Sequence, residues 1–336
     1  MSNSTLLVSV VVPAYNAQRT LDATLDSVRA QTHRALEIVV VDDGSTDGTR
    51  AIAERHATAD ARVRVIAQTN AGVAAARNAG WRDARAEFVA FVDADDLWAP
   101  AKIERQLAAL LAGGERTGLA YCWMARVDPE GAIIERISGR QIAGRAFDAL
   151  LRANIVGNGS AVLVRRAALL ETGGFDSSLR ARGGEGCEDW LFYARVAAHW
   201  DYALVPDHLV GYRALPDNMS SNRPRMLRSH LLMAAQLAER YPDHVGALRD
   251  GVGIYGRWLL DDAQQHGDLS EWWAVCRLLL AHHPRAAMRA LLVGAPARVL
   301  RRVRSALRPT RRRPTGATRL EPRVPFLPPG GTATHE

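Results

Sequence analysis

Three aspartates at the end of one apolar segment are the residues of this 336-residue chain whose type and spacing best suit chemistry. Residues 88–92 are rich in Val and Phe, and Asp93, Asp95 and Asp96 follow them. Such a run predicts a strand buried on both faces of a parallel sheet, and open α/β sheets bind ligands at the carboxyl ends of their strands. Carboxylates this close repel one another unless a cation with oxygen ligands lies between them. The spacing predicts a metal-diphosphate site; the alternative is that Asp95 and Asp96 only cap a helix at residues 101–111.

A second acidic pair stands at the end of a second predicted strand. Asp42 and Asp43 follow residues 37–41, and a glycine-containing turn leads from them into a helix. Two carboxylate clusters at one edge of a sheet suit the binding of a base and ribose and the chelation of a metal on phosphates. The chain has no Gly-x-Gly-x-x-Gly after its first strand and no Gly-x4-Gly-Lys-Ser/Thr. These absences disfavour a dinucleotide site and exclude a P-loop protein.

Alternating strands and helices must position these carboxylates. Hydrophobic periodicity predicts strands at residues 6–12, 37–41, 63–67 and 88–92 with helices between them. This alternation predicts an α/β fold in which helices cover both faces of a parallel sheet. After residue 112 the pattern changes, because residues 119–126 and 132–137 predict a hairpin. We expect this second half to bind an acceptor.

Four segments, in order along the chain, resemble family 2 glycosyltransferases of the GT-A fold. They are Val-Val-Pro-Ala-Tyr-Asn-Ala at 11–17, Val-Asp-Asp-Gly-Ser-Thr-Asp-Gly-Thr at 41–49, Gly-Val-Ala-Ala-Ala-Arg-Asn-Ala-Gly at 72–80 and Val-Asp-Ala-Asp-Asp at 92–96. The resemblance implies an inverting enzyme with a Rossmann-like α/β/α sandwich. Its central sheet would be mostly parallel, and a C-terminal helical region would follow.

The resemblance also implies which residues bind the nucleotide-sugar donor. They are Pro13, Tyr15, Asn16, Asp43, Arg77, Asp93 and Ala94. Tyr15 and Asp43 would line the base pocket, with simple packing as the alternative for Tyr15. Arg77 would lie near the base or the diphosphate. The alternative for Arg77 is an exposed helix residue paired with Asp83 or Glu87.

The same resemblance assigns the metal and the base. Asp95, aided by Asp93, would hold a divalent cation, Mg2+ or Mn2+. Asp189 would be the base, because a sugar hydroxyl is a poor nucleophile and a carboxylate within about 3 Å of its proton can accept that proton. Glu188 and Asp189 also fit the first turn of a helix, where negative charge is favourable. Four residues would lie on the acceptor side or support it: Asn158, Glu188, Trp190 and Arg213.

One position departs from the family pattern. Relatives often have a histidine two residues after the arginine that corresponds to Arg213, and this chain has Leu215 there. A metal or phosphate role is therefore not expected at position 215.

Composition indicates a soluble globular protein, since 48% of the residues are hydrophobic and 24% are charged. No run of about 18 apolar residues predicts a membrane span. The N-terminus lacks the basic region of a signal peptide, so we expect a cytoplasmic protein. The three cysteines are odd in number and widely spaced, which disfavours a disulfide framework and a structural zinc site.

The net charge of +7 is unevenly distributed. Residues 285–323 contain twelve arginines and one acid, a segment charge of +11 that leaves −4 for the remainder. Residues 286–307 combine these arginines with leucine and valine, which predicts contact with an anionic membrane surface and a peripheral location on its cytoplasmic face. No aromatic residue lies among the arginines, so we expect no nucleic-acid partner.

These patterns divide the chain into three parts. Residues 1–224 would form the GT-A domain, with a nucleotide-sugar half at about 1–112 and an acceptor half at about 113–224. Residues 225–308 would be helical, and residues 309–336 a disordered basic tail. The predicted reaction moves a sugar from a UDP- or dTDP-sugar to a hydroxyl of a glycan or lipid-linked acceptor. The alternative is a non-catalytic nucleotide-sugar-binding or membrane-scaffold protein.

Overall fold

The computed structural model describes residues 5–215, 218–289 and 324–327. Within them one sheet contains nine strands: β1 (Val8–Ala14), β2 (Leu36–Asp42), β3 (Val63–Ala67), β4 (Phe88–Phe91), β5 (Leu97–Trp98), β6 (Thr117–Val127), β7 (Ile133–Ile137), β8 (Val162–Arg165) and β9 (Asp201–Arg213). The helices of the same residues are α1 (Leu21–Arg29), α2 (Thr49–Ala59), α3 (Val73–Asp83), α4 (Lys102–Ala112), α5 (Phe147–Leu150), α6 (Arg166–Thr172), α7 (Ser178–Ala181), α8 (Glu188–Ala197), α9 (Arg223–Arg240), α10 (Val245–Gln265), α11 (Leu269–His282) and α12 (Pro284–Arg289).

Valine-rich strands occupy the first half of the sheet. Every residue of β1 and β2 is buried, which suits β-branched side chains that pack on both faces of a pleated strand. The strand order is β3-β2-β1-β4-β8-β6-β9-β5, and β7 pairs with β6. Strands β3, β2, β1 and β4 run parallel; Val8 lies beside Leu36 on one side and Phe88 on the other. The alternation predicted for the first hundred residues is confirmed.

Strand β4 has an antiparallel neighbour on its second side. Val89 of β4 lies beside Val164 of β8, and the two strands run in opposite directions. All four residues of β4 are buried as predicted, but the parallel arrangement expected there holds only on the β1 side. The reason is that the chain enters β8 at the edge where β4 ends. This reversal brings Ser160 next to Asp93, whose amide donates to the Ser160 hydroxyl at 2.9 Å.

The hairpin predicted after residue 112 is present as β6 and β7. Strand β9 begins at Asp201 and runs parallel to β6. Its last residues pair with the short strand β5, with Leu97 beside Gly211. The end of β9 therefore lies next to the turn that carries Asp93, Asp95 and Asp96.

Helices α9, α10 and α11 follow the sheet. Trp272 is buried, whereas Trp258 and Trp273 are each 56% exposed. No helix among the described residues is long and apolar enough to cross a bilayer. Residues 324–327, within the tail predicted to be disordered, pair with the β6–β7 hairpin. The membrane contact predicted for residues 286–307 falls, from residue 290 onward, outside the described residues, as does the remainder of the tail.

Candidate active site

The aspartate turn after β4 contains one fully buried side chain. The Asp96 carboxylate accepts hydrogen bonds from Asn158 Nδ2 at 2.9 Å, from Ser160 Oγ at 2.5 Å and from the Arg213 amide at 3.3 Å. Burial raises the pKa of Asp96, and the nearby charges of Asp95 and Asp93 raise it further. Asp96 thus joins the ends of β4, β8 and β9 and has little capacity left for a ligand.

Helix capping is not the role of these aspartates. Helix α4 begins at Lys102, and its N-cap residue is Ala101, five residues after the last aspartate of the turn. The alternative in which Asp95 and Asp96 only cap that helix is therefore wrong.

Asp95 is the carboxylate of the turn that fits a cation. Its backbone carbonyl accepts a hydrogen bond from Arg213 Nε at 2.8 Å, but among the described residues no side chain donates a hydrogen bond to its carboxylate. Burial, followed by the charge of Asp93, raises the pKa of Asp95 to about 6. A carboxylate in this environment is stabilised by a positive partner.

The described residues supply only part of a cation site. They contain no group of three or more His, Cys, Asp or Glu side chains arranged to hold a metal ion. Mg2+ is commonly bound by one or two carboxylates together with substrate phosphates and water. Asp95 and Asp93 fit that use, in which the donor itself supplies ligands.

Arg77 joins the two halves of the site. Its guanidinium donates to Asp93 Oδ1 at 2.6 Å through Nη2 and to Glu188 Oε1 at 3.2 Å through Nη1. The side chain is 3% exposed. Burial alone would lower the pKa of Arg77, but the charges of Asp93, Glu188 and Asp189 raise it above its ordinary value. The alternative of an exposed arginine paired with Asp83 or Glu87 is therefore wrong.

Small residues allow this burial of Arg77. Helix α3 carries Ala74 and Ala76 on its buried side, and Gly80 packs so closely on β1 that a Cβ there would lie 2.3 Å from a methyl group of Val11. The helix therefore lies close to the sheet, and the arginine extends along its surface to the carboxyl edge. There the guanidinium also contacts the face of the Phe175 ring, 5.3 Å from its centroid.

Glu188 and Asp189 form the start of helix α8. Glu188 accepts a second hydrogen bond, from the Gly186 amide at 2.8 Å, so both of its oxygens are used. Asp189 Oδ1 accepts from the Trp190 amide at 2.6 Å. Burial, then the charge of Glu188, raises the pKa of Asp189 to about 7. A partly exposed carboxylate with that pKa suits proton transfer near neutral pH.

Asp43 fixes the loop that precedes α3. Its carboxylate accepts from the amides of Ala71 and Gly72, each at 2.8 Å, and from Gln68 Nε2 at 2.7 Å. The side chain is 3% exposed. These bonds orient the loop at the edge of the sheet, and a contact between Asp43 and a base stays a prediction.

The remaining donor-side residues surround the end of β1. Pro13 and Ala94 are buried, and the Ala94 carbonyl accepts from Thr24 Oγ1 at 3.0 Å. Tyr15 is 52% exposed, so its ring is accessible to a base and the packing alternative is wrong. Asn16 adopts a positive φ of 49°, and its side-chain oxygen accepts from the Thr46 amide at 2.9 Å.

Three residues assigned to the acceptor side or to supporting contacts have structural partners. The Trp190 ring is buried, and its Nε1 donates to the Leu150 carbonyl at 2.7 Å, so the ring presents no face to an acceptor. Arg213 is 5% exposed and lies behind the aspartate turn. Asn158 donates to Asp96, while its side-chain oxygen is buried without a hydrogen-bond partner among the described residues.

Sequence reasoning missed a contact between the two halves. Arg180 Nη1 donates to Asn70 Oδ1 at 2.8 Å, and the Arg180 side chain lies against Gly72, where a Cβ would come within 2.9 Å of it. Because the contact spans 110 residues of sequence, periodicity could not reveal it.

Comparisons with known proteins identify relatives of this arrangement. The family model described as Glycosyl transferase family 2 matches residues 9–171. The putative teichuronic acid biosynthesis glycosyltransferase TuaG of Bacillus subtilis (strain 168) is 42% identical over 112 residues, which are 33% of this chain and 44% of TuaG. The chain spans less than half the length of the first curated relatives that it matches.

Solved structures share the fold. The structure of S. aureus TarS 1-349 in complex with UDP-GlcNAc has a TM-score of 0.57 at 18% identity and covers 84% of this chain and 83% of its own. The mannosyltransferase PcManGT from Pyrobaculum calidifontis, in complex with GDP-Man and Mn2+, has a TM-score of 0.56 at 22% identity. The match covers 89% of this chain and 82% of PcManGT. The predicted GT-A fold is confirmed.

Proposed function

Residues 9–171 match the Glycosyl transferase family 2 model, and from this match we propose that the chain transfers a sugar from a nucleotide diphosphate sugar to a hydroxyl group of an acceptor. The observation that carries the proposal is the position of Arg77 between Asp93 and Glu188. It brings the carboxyl end of β4, which would hold the donor, against the start of α8, which carries Asp189. Asp95 follows Asp93 on one side of Arg77 and Asp189 follows Glu188 on the other, so a carboxylate for a cation and a carboxylate for a proton would serve one reaction.

The donor would bind over the ends of β1, β2 and β4. Tyr15, Asn16, Asp43 and Arg77 would contact its nucleotide, together with Pro13, Asp93 and Ala94. The glycosyltransferase structures that share the fold contain UDP-GlcNAc and GDP-Man; for this chain we favour a UDP- or dTDP-sugar.

A divalent cation, Mg2+ or Mn2+, would be held by Asp95 with help from Asp93. When bound, it would neutralise charge on the leaving diphosphate. The raised pKa of Asp95 supports this assignment, as does the presence of Mn2+ with GDP-Man in the PcManGT structure.

Asp189 would act as the base of a single displacement. Its carboxylate would accept the proton of the acceptor hydroxyl while the hydroxyl oxygen forms a bond to C1 of the sugar and the bond from C1 to the diphosphate oxygen breaks. Attack from the side opposite the leaving group inverts the configuration at C1. Glu188 would hold Arg77 and keep Asp189 in place, and Asn158 and Arg213 would support the aspartate turn.

The acceptor would be a glycan or a lipid-linked glycan. The name of TuaG refers to teichuronic acid biosynthesis, which supports a polysaccharide as the product class. The arginine-rich segment at 285–323 supports a peripheral position on the cytoplasmic face of the membrane. No step of the reaction depends on that position.

A panel of nucleotide sugars tests the proposal. The full chain is incubated with each donor and Mn2+, with and without candidate polysaccharide acceptors, and release of the nucleoside diphosphate is measured. We expect acceptor-dependent release with a uridine or thymidine donor. Donor binding by calorimetry without release or transfer for any donor and acceptor would instead favour the non-catalytic alternative.

A further inference from the structure

Four residues near the C-terminus are docked on the acceptor half of the molecule. Val324 to Leu327 follow a long stretch outside the described residues, yet they form two backbone hydrogen bonds with the β6–β7 hairpin. The Ile133 amide donates to the Val324 carbonyl at 2.9 Å, and the Phe326 amide donates to the Gly131 carbonyl at 2.9 Å. Ala132 and Pro325 form an antiparallel bridge between these bonds. The segment thus adds a short strand to an exposed edge, a common mode of peptide recognition.

A side-chain contact fixes the register of this docked segment. The Phe326 ring lies on Gly211 of β9, where a Cβ would come within 2.9 Å of ring atom Cδ1. A residue with a side chain at 211 would therefore displace the ring. The Phe326 ring thus occupies the space that a Cβ at position 211 would fill. The Val324 side chain, by contrast, is 53% exposed.

The docking surface is continuous with the candidate active site. The hairpin turn is closed by the Gly131 amide, which donates to the Asp128 carbonyl at 2.9 Å. The Pro129 carbonyl of the same turn accepts from Arg213 Nη1. Arg213 Nε donates to the Asp95 carbonyl at 2.8 Å. A chain of hydrogen bonds therefore leads from the docked segment through the hairpin turn and Arg213 to the backbone of Asp95.

We propose that residues 324–327 are a positioning element that docks on the β6–β7 hairpin and Gly211 and thereby fixes Arg213 and the aspartate turn for donor binding. The docking itself is independent of the proposed function, and its effect on the donor rests on that function. Phe326 is the principal positioning residue, because it contributes both a backbone bond and the ring on Gly211. Loss of the segment leaves the hairpin turn, and with it the Pro129 carbonyl, free to move away from Arg213.

Full-chain variants test the proposal. Phe326→Ala removes the ring, and Ile133→Pro removes the amide that donates to Val324 without removing a side chain of the segment. Val324→Ala is the matched control, because it shortens an exposed side chain and keeps the backbone bonds. Amide hydrogen exchange reports docking at Ile133 and Phe326, whose amides donate across the contact, and the state of the turn at residues 93–98, without reference to catalysis.

We expect both test variants to exchange faster at residue 326 and at residues 93–98, and Phe326→Ala to exchange faster at Ile133 as well, while the control matches the parent chain. The KM for the nucleotide sugar should rise about five- to tenfold with kcat changed less than about twofold, since the turn holds the donor rather than the base. Faster exchange at residue 326 with no change at 93–98 and no change in KM would overturn the positioning role. Free exchange of the Ile133 amide in the parent chain would overturn the docking. If the parent chain transfers no sugar, the proposed function fails, and the exchange pattern still decides whether the docked segment orders the turn.

Discussion

The acidic side chains around the cleft differ in the number of hydrogen bonds that each accepts. Asp43 and Asp96 are each held by three donors, so they fix loops. Asp95 and Asp189 are partly buried beside other carboxylates, and their pKa values are raised to about 6 and about 7. Charge that the protein leaves uncompensated is available to a ligand, so these two residues are the candidates for chemistry.

Replacement of the proposed base separates binding from transfer. Asp189→Asn keeps the shape of the side chain but cannot accept a proton, so we expect kcat to fall by about 10²- to 10⁴-fold. Donor affinity, measured by calorimetry with Mn2+, should change by less than about threefold. Asp250→Asn, at an exposed aspartate on α10, should leave both quantities unchanged. Transfer at the parental rate in Asp189→Asn would disprove the assignment of the base.

The pH dependence of transfer should follow the ionisation of Asp189. A base must be deprotonated, and because the pKa of Asp189 is raised to about 7, kcat/KM should rise with pH below about 7 and level off above it. Glu188→Gln removes the neighbouring charge that is the second cause of the raised pKa. We expect its profile to move toward lower pH. A profile that is flat between pH 5.5 and 8, or one that Glu188→Gln leaves in place, would contradict this role.

At the scale of secondary-structure elements, one arginine connects three of them. Arg77 belongs to α3, Asp93 follows β4, and Glu188 begins α8. Strand β8 reverses direction beside β4, which brings Ser160 to the same edge. The two halves of the site are therefore connected by buried charged groups rather than by apolar packing alone, and removal of one partner leaves the others uncompensated.

Substitution of Arg77 tests this connection. Arg77→Met leaves two carboxylates without their cation, and we expect the free energy of unfolding to fall by about 3–5 kcal/mol in urea titrations. Arg77→Lys keeps the charge but cannot donate to both carboxylates with the geometry of a guanidinium, and we expect it to lower the free energy of unfolding by less. Arg50→Met removes an exposed arginine paired with Glu54 and should change stability by less than about 0.5 kcal/mol. Equal losses in the Arg77→Met and Arg50→Met variants would show that the buried arginine does not connect the halves.

For the whole molecule, the cleft carboxylates oppose folding as the pH rises. The folded-state pKa values of Asp95 and Asp189, about 6 and about 7, lie above the ordinary value of 3.8. The folded state therefore binds protons more tightly than the unfolded state. The stability associated with these protons is fully present below about pH 4 and is lost as the pH rises through about 7. A protein that binds its donor and a cation in this cleft recovers part of that loss.

Thermal unfolding across this pH range should show the effect. We expect Asp95→Asn and Asp189→Asn each to raise Tm at pH 8 by a few degrees, which corresponds to about 1–2 kcal/mol in the free energy of unfolding. At pH 5 the two substitutions should change Tm little. Mn2+ should raise the Tm of the parent chain more at pH 8 than at pH 5, and this difference should disappear in Asp95→Asn. A cation effect that Asp95→Asn retains would place the cation elsewhere.

The amino-acid sequence determined the local features of this protein. The valine-rich strands are recognisable because a strand buried on both faces is a continuous apolar run, and the helices between them because burial repeats every three to four residues. The order of the four motifs identified the family, and the positions of the aspartates after their strands located the edge at which a ligand would bind. These properties depend on residues that are close together in the sequence, so the sequence alone reveals them.

Only the tertiary structure decided which carboxylates have their hydrogen bonds and charge satisfied by other groups of the protein. Asp96 and Asp43 look as reactive in the sequence as Asp95, but amides and side chains that are distant in sequence fill their hydrogen bonds. Arg77 was predicted near the base or the diphosphate, and the structure shows it buried between Asp93 and Glu188. Phe326 lay in a tail predicted to be disordered and packs on Gly211. Contacts of this kind join residues tens to hundreds of positions apart, and their free energy depends on burial and on the opposing charge, which exist only once the chain has folded.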